Sequence, residues 1–192
     1  MDITNKPIIL FEPKIFTDII LAALACDVEV SGLAKIQRDN NTYHVYGNPV
    51  IYDQYCSVIE TSFNIEAQHY WIQNMVTRGR GNELSKYRLW WHSHAWSDVY
   101  LSHTDRRTID QVFANNFDWL LAVVVNKRMD VYVELNIFQP IRLAPIPISE
   151  FSFTKRFTSE CFRNMLQKRS SRIGKIVSSR VSLISERDNH ED

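Results

Sequence analysis

The spacing of apolar residues changes several times along the chain, and each change predicts the boundary of an element. Helical spacing runs through 13–26, which opens at a proline, and through 65–78, which Gly79 follows. A third helix is expected from Ser102 to about Asn116. Runs rich in β-branched and aromatic residues predict strands at 28–37, 43–52, 57–63, 87–92, 119–125, 131–138 and 141–146.

The order of these elements predicts an α/β fold in which helices sandwich a single mixed β-sheet. Trp119–Val125 is almost entirely apolar, as expected for a central strand that is buried on both faces. The segment 39–41 (Asp-Asn-Asn) has the composition of a hairpin turn. The prolines at 140, 145 and 147 lack the amide hydrogen that a strand ladder needs, so pairing is expected to end in this region.

The sequence divides into a core over 1–150 and a C-terminal extension over 151–192. Residues 1–154 carry 13 Lys and Arg against 17 Asp and Glu, whereas 155–192 carry 9 against 5, so the end of the chain is basic. Helical spacing over 151–167 predicts a helix, which further basic residues follow. Two interpretations stay open. The extension is either an arm that docks a partner protein or nucleic acid, or a solvated amphipathic helix with a frayed, partly disordered end.

Charge and cysteine content narrow the function classes. The net charge is zero, which makes nucleic acid a disfavoured partner for the chain as a whole. Cys26, Cys56 and Cys161 are odd in number and far apart, which is typical of a reducing compartment and not of a disulfide framework. No signal-peptide pattern opens the sequence, and apolar runs such as 19–26 are too short to cross a bilayer. These features predict a cytoplasmic protein without a membrane partner.

One short segment gathers metal-binding side chains. His92 and His94 end a predicted strand, and residues two apart on a strand face the same side, so both imidazoles would aim at one point. Ser102 then precedes a helical pattern that has Asp105 in its first turn, which is the signature of a capped helix. Two histidines and an aspartate would give three protein ligands and leave a fourth position for water, as in catalytic zinc sites.

Each half of this pattern also has an ordinary explanation. Two histidines on a strand are common surface or core residues, and Ser-x-x-Asp by itself is a helix cap. Both together at this spacing favour a metal site. The neighbouring His103 and Asp98 are not expected to be ligands, because His103 would face away in the first helical turn and Asp98 would lie in the loop.

The arrangement His92-x-His94-x7-Ser102-x-x-Asp105 resembles the motif of the JAMM (MPN+) metalloproteases at every specified position. The resemblance covers roughly residues 8–140. It implies an MPN core with a cytidine-deaminase-like α/β fold, with Zn²⁺ as cofactor and His92, His94 and Asp105 as its ligands. It also implies that Ser102 hydrogen-bonds the oxyanion that forms during hydrolysis.

The family also uses a glutamate on an early strand as general acid/base, and Glu29 in the segment 27–33 (Asp-Val-Glu-Val-Ser-Gly-Leu) resembles that residue. The residues alone leave two roles open for Glu29. It would either lie on an exposed strand face or pair with a cation, or it would act as a base beside a metal-bound water. The resemblance favours the second role. Glu60 and Glu66 are competing candidates, but they lie nearer the next predicted helix and match no motif.

The resemblance implies a JAMM-type zinc metalloprotease, an isopeptidase or deubiquitinase-like hydrolase that cleaves next to the C-terminus of a ubiquitin-like protein. The short chain resembles prokaryotic or phage-encoded members, so a bacterial ubiquitin-like deconjugase is expected. Specificity is expected in the loops 79–86 and 95–101. Trp96 and Tyr100 in the second loop either line a substrate groove or pack on the sheet, and packing is favoured. The alternative is a catalytically silent MPN-type scaffold in a larger complex, because some relatives of the family have lost the metal site.

Overall fold

Strands and helices alternate along residues 6–57 and 61–184, the part of the chain that the computed structural model describes. The strands are β1 (Ile8–Phe11), β2 (Ser31–Asp39), β3 (Thr42–Val50), β4 (Gln54–Cys56), β5 (Thr61–Phe63), β6 (Leu89–Ser93), β7 (Trp119–Val125), β8 (Val131–Ile137), β9 (Ile146–Pro147), β10 (Ser152–Phe153) and β11 (Val181–Leu183). The α-helices are α1 (Pro13–Leu24), α2 (Ile65–Thr77), α3 (His103–Thr108) and α4 (Ser159–Ser178). Two other helical segments are a 3-10 helix over Gly81–Lys86 and a π-helical turn over Ile109–Phe113.

Eight strands form one curled mixed sheet in the order β10-β1-β3-β2-β6-β7-β8-β9. Near its middle, β6 is antiparallel to β2 and parallel to β7. β1 pairs in parallel with both β3 and β10, and the other neighbours in this sheet are antiparallel. β4, β5 and β11 form a separate three-stranded sheet. The expected mixed α/β fold with a large mixed sheet is therefore confirmed, but the prediction of a single sheet is wrong, because β4, β5 and β11 form a second one.

Alternating side chains in the central strands enter two different cores. On β6, Trp91 belongs to the core beneath α1 and α4, whereas Trp90 belongs to the core on the opposite face. His92 lies on the same face as Trp90 and stacks on it. The π-helical turn covers this second face through Ile109 and Phe113. His92, and His94 just after the strand, therefore face the side of the sheet on which α3 begins, and Asp105 lies in the first turn of α3.

The C-terminal helix α4 packs against α1 and completes the first core. Ile173 and Val177 of α4 are buried there. Arg169 binds the Asp18 carboxylate, which is 1% exposed, through both Nε and Nη2, the latter at 2.8 Å. β11 then pairs in parallel with β4. Residues after 150 thus contribute a helix and two strands to the folded body. No helix within the described ranges is both long enough and apolar enough to cross a membrane.

The strand boundaries around the site differ from those predicted. In place of one strand over 57–63, the chain makes two short antiparallel strands, β4 and β5. Residues 58–60, between them, lie outside the described residues. β2 begins at Ser31, so Glu29 precedes the strand although it was expected within it. A periodicity over so few residues does not locate a strand end, because the end depends on where the neighbouring strand offers a partner.

The hairpin turn predicted at 39–41 is present, whereas strand pairing does not end where the prolines predicted. The turn at 39–41 is confirmed, since β2 and β3 join there and Asn40 has a φ of 53°. The strand predicted over 141–146 is wrong, because only its last residue belongs to β9. Pro147 pairs with Glu134 although proline was expected to end pairing. β9 is an edge strand, where a residue without an amide hydrogen is tolerated.

The helix predicted over 151–167 is displaced toward the C-terminus. It begins at Ser159, because Thr158 caps it and accepts a hydrogen bond on Oγ1 from the Cys161 amide at 3.2 Å. The residues before the cap form β10 and a loop instead. The aromatic residues that suggested helical spacing at the start of this segment therefore pack from an extended strand and loop.

Arg169→Ala tests whether the buried ion pair holds α4 in place. The substitution leaves the Asp18 carboxylate with Lys14, whose Nζ lies 3.7 Å away. We expect the free energy of unfolding to fall by about 3 kcal/mol, as measured by urea denaturation. Lys168→Ala, exposed on the same helix, is the matched control and should change it by less than about 0.5 kcal/mol. Equal effects of the two substitutions would contradict this role.

Candidate metal centre

The pairing of β6 with β2 places the first histidine. His92 pairs with Ser31, and Trp91 pairs with Gly32. A Cβ on Gly32 would lie 2.3 Å from the Val50 carbonyl oxygen and 2.8 Å from the Trp91 ring. Any larger residue would therefore push β2 away from one of its two neighbours. The glycine in this segment has a packing role, and it fixes the register that brings the two parts of the site together.

Hydrogen bonds at the end of β6 hold the segment of Glu29 beside the histidines. Ser93 N donates to Val30 O at 2.8 Å, and Val30 N donates to Ser93 Oγ at 3.0 Å. On the other side, His94 N donates to Val125 O at 2.8 Å. Because Ser93 is fully buried, the residue between the two histidines serves to bind the neighbouring segment.

The start of α3 presents Asp105 to the same face of the sheet. Ser102 is the N-cap, and its Oγ accepts from Asp105 N at 3.1 Å. In return, Asp105 Oδ2 accepts from the Ser102 amide at 2.7 Å. This reciprocal pair is a capping box. The cap therefore fixes the Asp105 side chain and turns its carboxylate toward the histidines.

The three side chains meet within reach of one ion. His92 Nε2 lies 3.1 Å from His94 Nε2. Asp105 Oδ1 lies 3.2 Å from His92 Nε2, and Asp105 Oδ2 lies 3.5 Å from His94 Nε2. Metal–ligand bonds of about 2.0–2.1 Å in a tetrahedral zinc site place neighbouring ligand atoms about 3.3 Å apart. The spacing of the three side chains fits such an ion, and together they can hold a metal.

Burial and the shared carboxylate set the proton affinities of the cluster. Burial lowers the pKa of His92 below that of a free imidazole, although the hydrogen bond that His92 donates to the Asp105 carboxylate opposes this shift. Burial opposes a charge on His94 as well, but the Asp105 carboxylate and the Asp98 carbonyl raise its pKa. Burial alone would raise the pKa of Asp105, yet hydrogen bonds with both histidines hold it well below its usual range. The cluster thus offers a charged carboxylate and a neutral imidazole, the forms that bind a metal.

Contacts outside the cluster orient His94. Its Nδ1 lies 2.9 Å from Asp98 O, which fixes the ring and leaves Nε2 directed at the other ligands. Asp98 belongs to the loop 95–101, and Arg128 holds this loop. Arg128 Nη1 donates to Trp96 O at 2.7 Å, and Arg128 Nη2 donates to the Asp98 carboxylate at 2.7 Å. The loop is therefore a fixed support for one of the ligands.

Glu29 is brought to the edge of the cluster. Its amide donates to Ser57 O at 2.9 Å, and the residue is 8% exposed. The negative charge of Glu29 contributes to the raised pKa of His94, so the two side chains lie within electrostatic reach of each other. The structure thus brings the predicted cap and the three predicted ligands together, and it places the predicted base within electrostatic reach of His94.

Of the other residues considered from the sequence, none that the structure describes belongs to the metal-binding group. Glu66 is exposed in the first turn of α2, and Glu60 lies outside the described residues. His103 is exposed at the first position of α3. Trp96 is 64% exposed and Tyr100 is 53% exposed, so neither ring is buried on the sheet, although Tyr100 meets the His94 ring edge-on with 5.3 Å between ring centroids. These two rings lie on the protein surface beside the centre.

Sequence reasoning missed two residues that support the site. One is Asp98, which acts through its main-chain carbonyl on His94. The other is Gln54, which is 1% exposed and whose side-chain amide hydrogen-bonds the main chain at the start of β2. Gln54 Oε1 accepts from Ser31 N at 2.8 Å, and Gln54 Nε2 donates to Ser31 O at 3.0 Å. A main-chain carbonyl leaves no sequence signal, and a single glutamine gives no indication of a partner 23 residues away.

An apolar groove lies on the same face of the sheet as the cluster. It encloses about 530 Å³ between α2, the 3-10 helix and the π-helical turn. Phe113 lines the groove, and its ring lies 5.5 Å from Trp90, whose ring stacks on His92 at 4.6 Å. The groove and the cluster are thus separated by one aromatic side chain. The other apolar lining residues are Leu33, Tyr52, Trp71, Ile72, Leu84, Tyr87, Val112 and Phe117.

No family model and no curated protein matches this sequence. Among solved structures, the chain is similar to the solution structure of protein DSY2949 from Desulfitobacterium hafniense. The TM-score is 0.50 at 17% sequence identity, over 81% of this chain and 98% of that chain. A likeness at this level of identity concerns the fold alone, and it agrees with the mixed α/β architecture.

His92→Ala tests the three-residue cluster as a metal site. Loss of one of three ligands should lower the affinity for Zn²⁺ so far that bound zinc falls by more than about tenfold. Mass spectrometry of dialysed protein measures the zinc content per chain. His103→Ala removes an exposed histidine of α3 and is the matched control, with zinc content expected to equal that of the wild type. Equal zinc in both variants would place the metal elsewhere.

Metal binding should weaken as the pH falls, because the ligands must lose their protons to bind. The raised pKa of His94 lets protons compete at a higher pH than at an ordinary imidazole. We expect the apparent affinity for Zn²⁺ to fall steadily below about pH 7. Competition with a chelator calibrated at each pH measures it. An affinity that stays constant down to about pH 5 would contradict ligation by histidine.

Proposed function

We propose that the chain is a zinc-dependent hydrolase of the JAMM (MPN+) type that cleaves a peptide or isopeptide bond. The observation that carries the proposal is the convergence of His92, His94 and Asp105 with mutual distances of 3.1–3.5 Å, beside Glu29. A structural zinc site is closed by four protein ligands, whereas a catalytic one keeps a position for water. Within the described ranges, this metal-binding group has three members and no fourth His, Cys, Asp or Glu.

Zinc fits these ligands better than a hard cation does. Mg²⁺ and Ca²⁺ prefer six or more oxygen ligands, whereas two of the three groups here are imidazoles. Imidazole suits zinc and other late first-row metals, and the tetrahedral spacing of the ligand atoms favours zinc among them. When bound, the ion would polarise the scissile carbonyl and bring the pKa of a water molecule close to neutral.

Glu29 carries the proton through the reaction. Its carboxylate takes a proton from the attacking water, whose oxygen forms the new bond to the carbonyl carbon. The same group returns the proton to the leaving amine as the C–N bond breaks, so Glu29 ends in its starting state. Its exposure of 8% keeps bulk water from competing for this proton. The Ser102 hydroxyl donates to the oxyanion, from a position that the capping box fixes.

The apolar groove supports a polypeptide substrate that binds in an extended form on the same face of the sheet as the cluster. A groove lined by aromatic and aliphatic side chains binds such a segment through its side chains. The C-terminal tail of a ubiquitin-like protein has this shape, and we propose that the enzyme removes or processes such a protein. A cytidine-deaminase-like MPN core, a bacterial or phage setting and a cytoplasmic location belong to the same proposal.

Glu29→Gln separates proton transfer from metal binding. The amide keeps the size of the side chain but cannot take a proton, so kcat should fall by at least about 100-fold. Zinc content should stay at the wild-type level. Turnover of a fluorogenic ubiquitin-like substrate and metal analysis measure the two quantities. Glu66→Gln, an exposed carboxylate of α2, is the matched control and should change neither. Full turnover in Glu29→Gln would assign proton transfer to another group.

The zinc-loaded Glu29→Gln protein also serves to identify the substrate. It should retain an uncleaved substrate that the wild type releases as product, and mass spectrometry can identify what it captures from host extract. A small β-grasp protein, free or conjugated, would support a deconjugase or processing enzyme. Capture of large partners alone, together with a wild type that hydrolyses nothing, would favour the catalytically silent scaffold.

A further inference from the structure

The helix that carries Asp105 is held to the sheet by few contacts of its own. α3 has six residues, and none of them is buried. The first buried side chain after Asp105 is Ile109, in the π-helical turn. The capping box joins Asp105 to Ser102, but both belong to one turn of the chain, so it cannot fix the helix relative to the strands. Leu101 before the cap and Ile109 after the helix anchor its two ends in the core on this face. Apolar packing is not directional, so the orientation of Asp105 toward His92 depends on a further, directional contact.

Arg106 supplies this contact from the next position of the chain. Its Nη1 donates to Glu134 Oε1 at 2.6 Å, and its Nη2 donates to Glu134 Oε2 at 2.9 Å. Glu134 is 1% exposed and lies on β8. Its Oε2 also accepts from the Tyr132 hydroxyl at 2.7 Å. A bidentate pair of this kind fixes both the distance and the angle of the guanidinium plane.

Glu134 is part of the same ladder as the strand that carries the histidines. It pairs with Ala122 of β7, and Ala122 pairs with Trp90 of β6, two residues before His92. The ladder hydrogen bonds fix these three strands relative to one another. Arg106 therefore connects the helix of Asp105 to β6, which carries His92 and leads into His94, by a short series of directional contacts.

We propose that Arg106 and Glu134 form a positioning pair that holds Asp105 at ligand distance from His92 and His94, and so sets the metal affinity. The proposal rests on the metal centre of the proposed function, but not on the reaction. Neither residue of the pair is a ligand. If the pair were merely structural, its loss would lower stability and leave the metal affinity and geometry unchanged. As a positioning pair, its loss weakens metal binding and distorts the coordination.

The test measures Zn²⁺ affinity by competition with a chromophoric chelator, and coordination geometry by the visible absorption of the Co²⁺-loaded protein. Arg106→Gln should weaken Zn²⁺ binding by about 10- to 100-fold and reduce the intense absorption of tetrahedral Co²⁺. Arg107→Gln changes the exposed neighbour on α3 and is the matched control, with Zn²⁺ affinity within about twofold of the wild type. Arg106→Lys keeps the charge without the bidentate fork, so it should restore part of the affinity.

Each outcome decides between the roles. If Arg106→Gln does not fold, Arg106→Lys carries the test, and a weaker Zn²⁺ affinity with an altered Co²⁺ spectrum supports positioning. Wild-type affinity and a wild-type spectrum in a folded Arg106 variant would overturn the positioning role and leave the metal centre in place. A wild-type protein that binds neither Zn²⁺ nor Co²⁺ would overturn the metal centre, and with it the proposed function and the positioning pair.

Discussion

The site depends on one close approach between neighbouring strands, that of β2 to β6 at Gly32. Without a side chain at this position, β6 packs a tryptophan ring onto the β2 backbone, and Ser31 pairs with His92. The same register carries Glu29 to the end of β6, where His94 leaves the strand. A shift of one residue would turn both histidines to the opposite face of the sheet, into the core beneath α1. One ladder thus sets the position of the proposed base and of two ligands.

The carboxylates inside the protein have two kinds of partner, arginines that hold elements of the fold together and the histidines of the metal-binding cluster. Asp18 and Glu134 are each 1% exposed, and each is matched by a bidentate arginine from another element. Asp105 is instead matched by two imidazoles and a capping amide. An arginine keeps its charge, whereas an imidazole gives up a proton readily. Of these three carboxylates, Asp105 is therefore the one whose partners a metal ion can bind in place of protons.

The parts of the fold that follow from local rules could be predicted, and the parts that depend on distant residues could not. The alternation of side-chain direction along β6 and the helix cap at Ser102 each depend on a few neighbouring residues. From them the sequence correctly places the histidines at the end of a strand and Asp105 at the start of a helix. The pairing of β10 and β11, the side-chain hydrogen bonds of Gln54 and the Arg106–Glu134 pair join positions far apart in sequence. Pro147 shows the same limit, because its effect on pairing depends on β9 being an edge strand.

Diffraction from crystals of the zinc-loaded protein, recorded on both sides of the zinc absorption edge, tests the central claim most directly. We expect one strong anomalous peak at about 2.0–2.1 Å from His92 Nε2, His94 Nε2 and an Asp105 oxygen. A water should complete the tetrahedron on the side of Glu29. A peak bound by other side chains, a fourth protein ligand in place of the water, or no peak in zinc-loaded crystals would contradict an open hydrolytic centre.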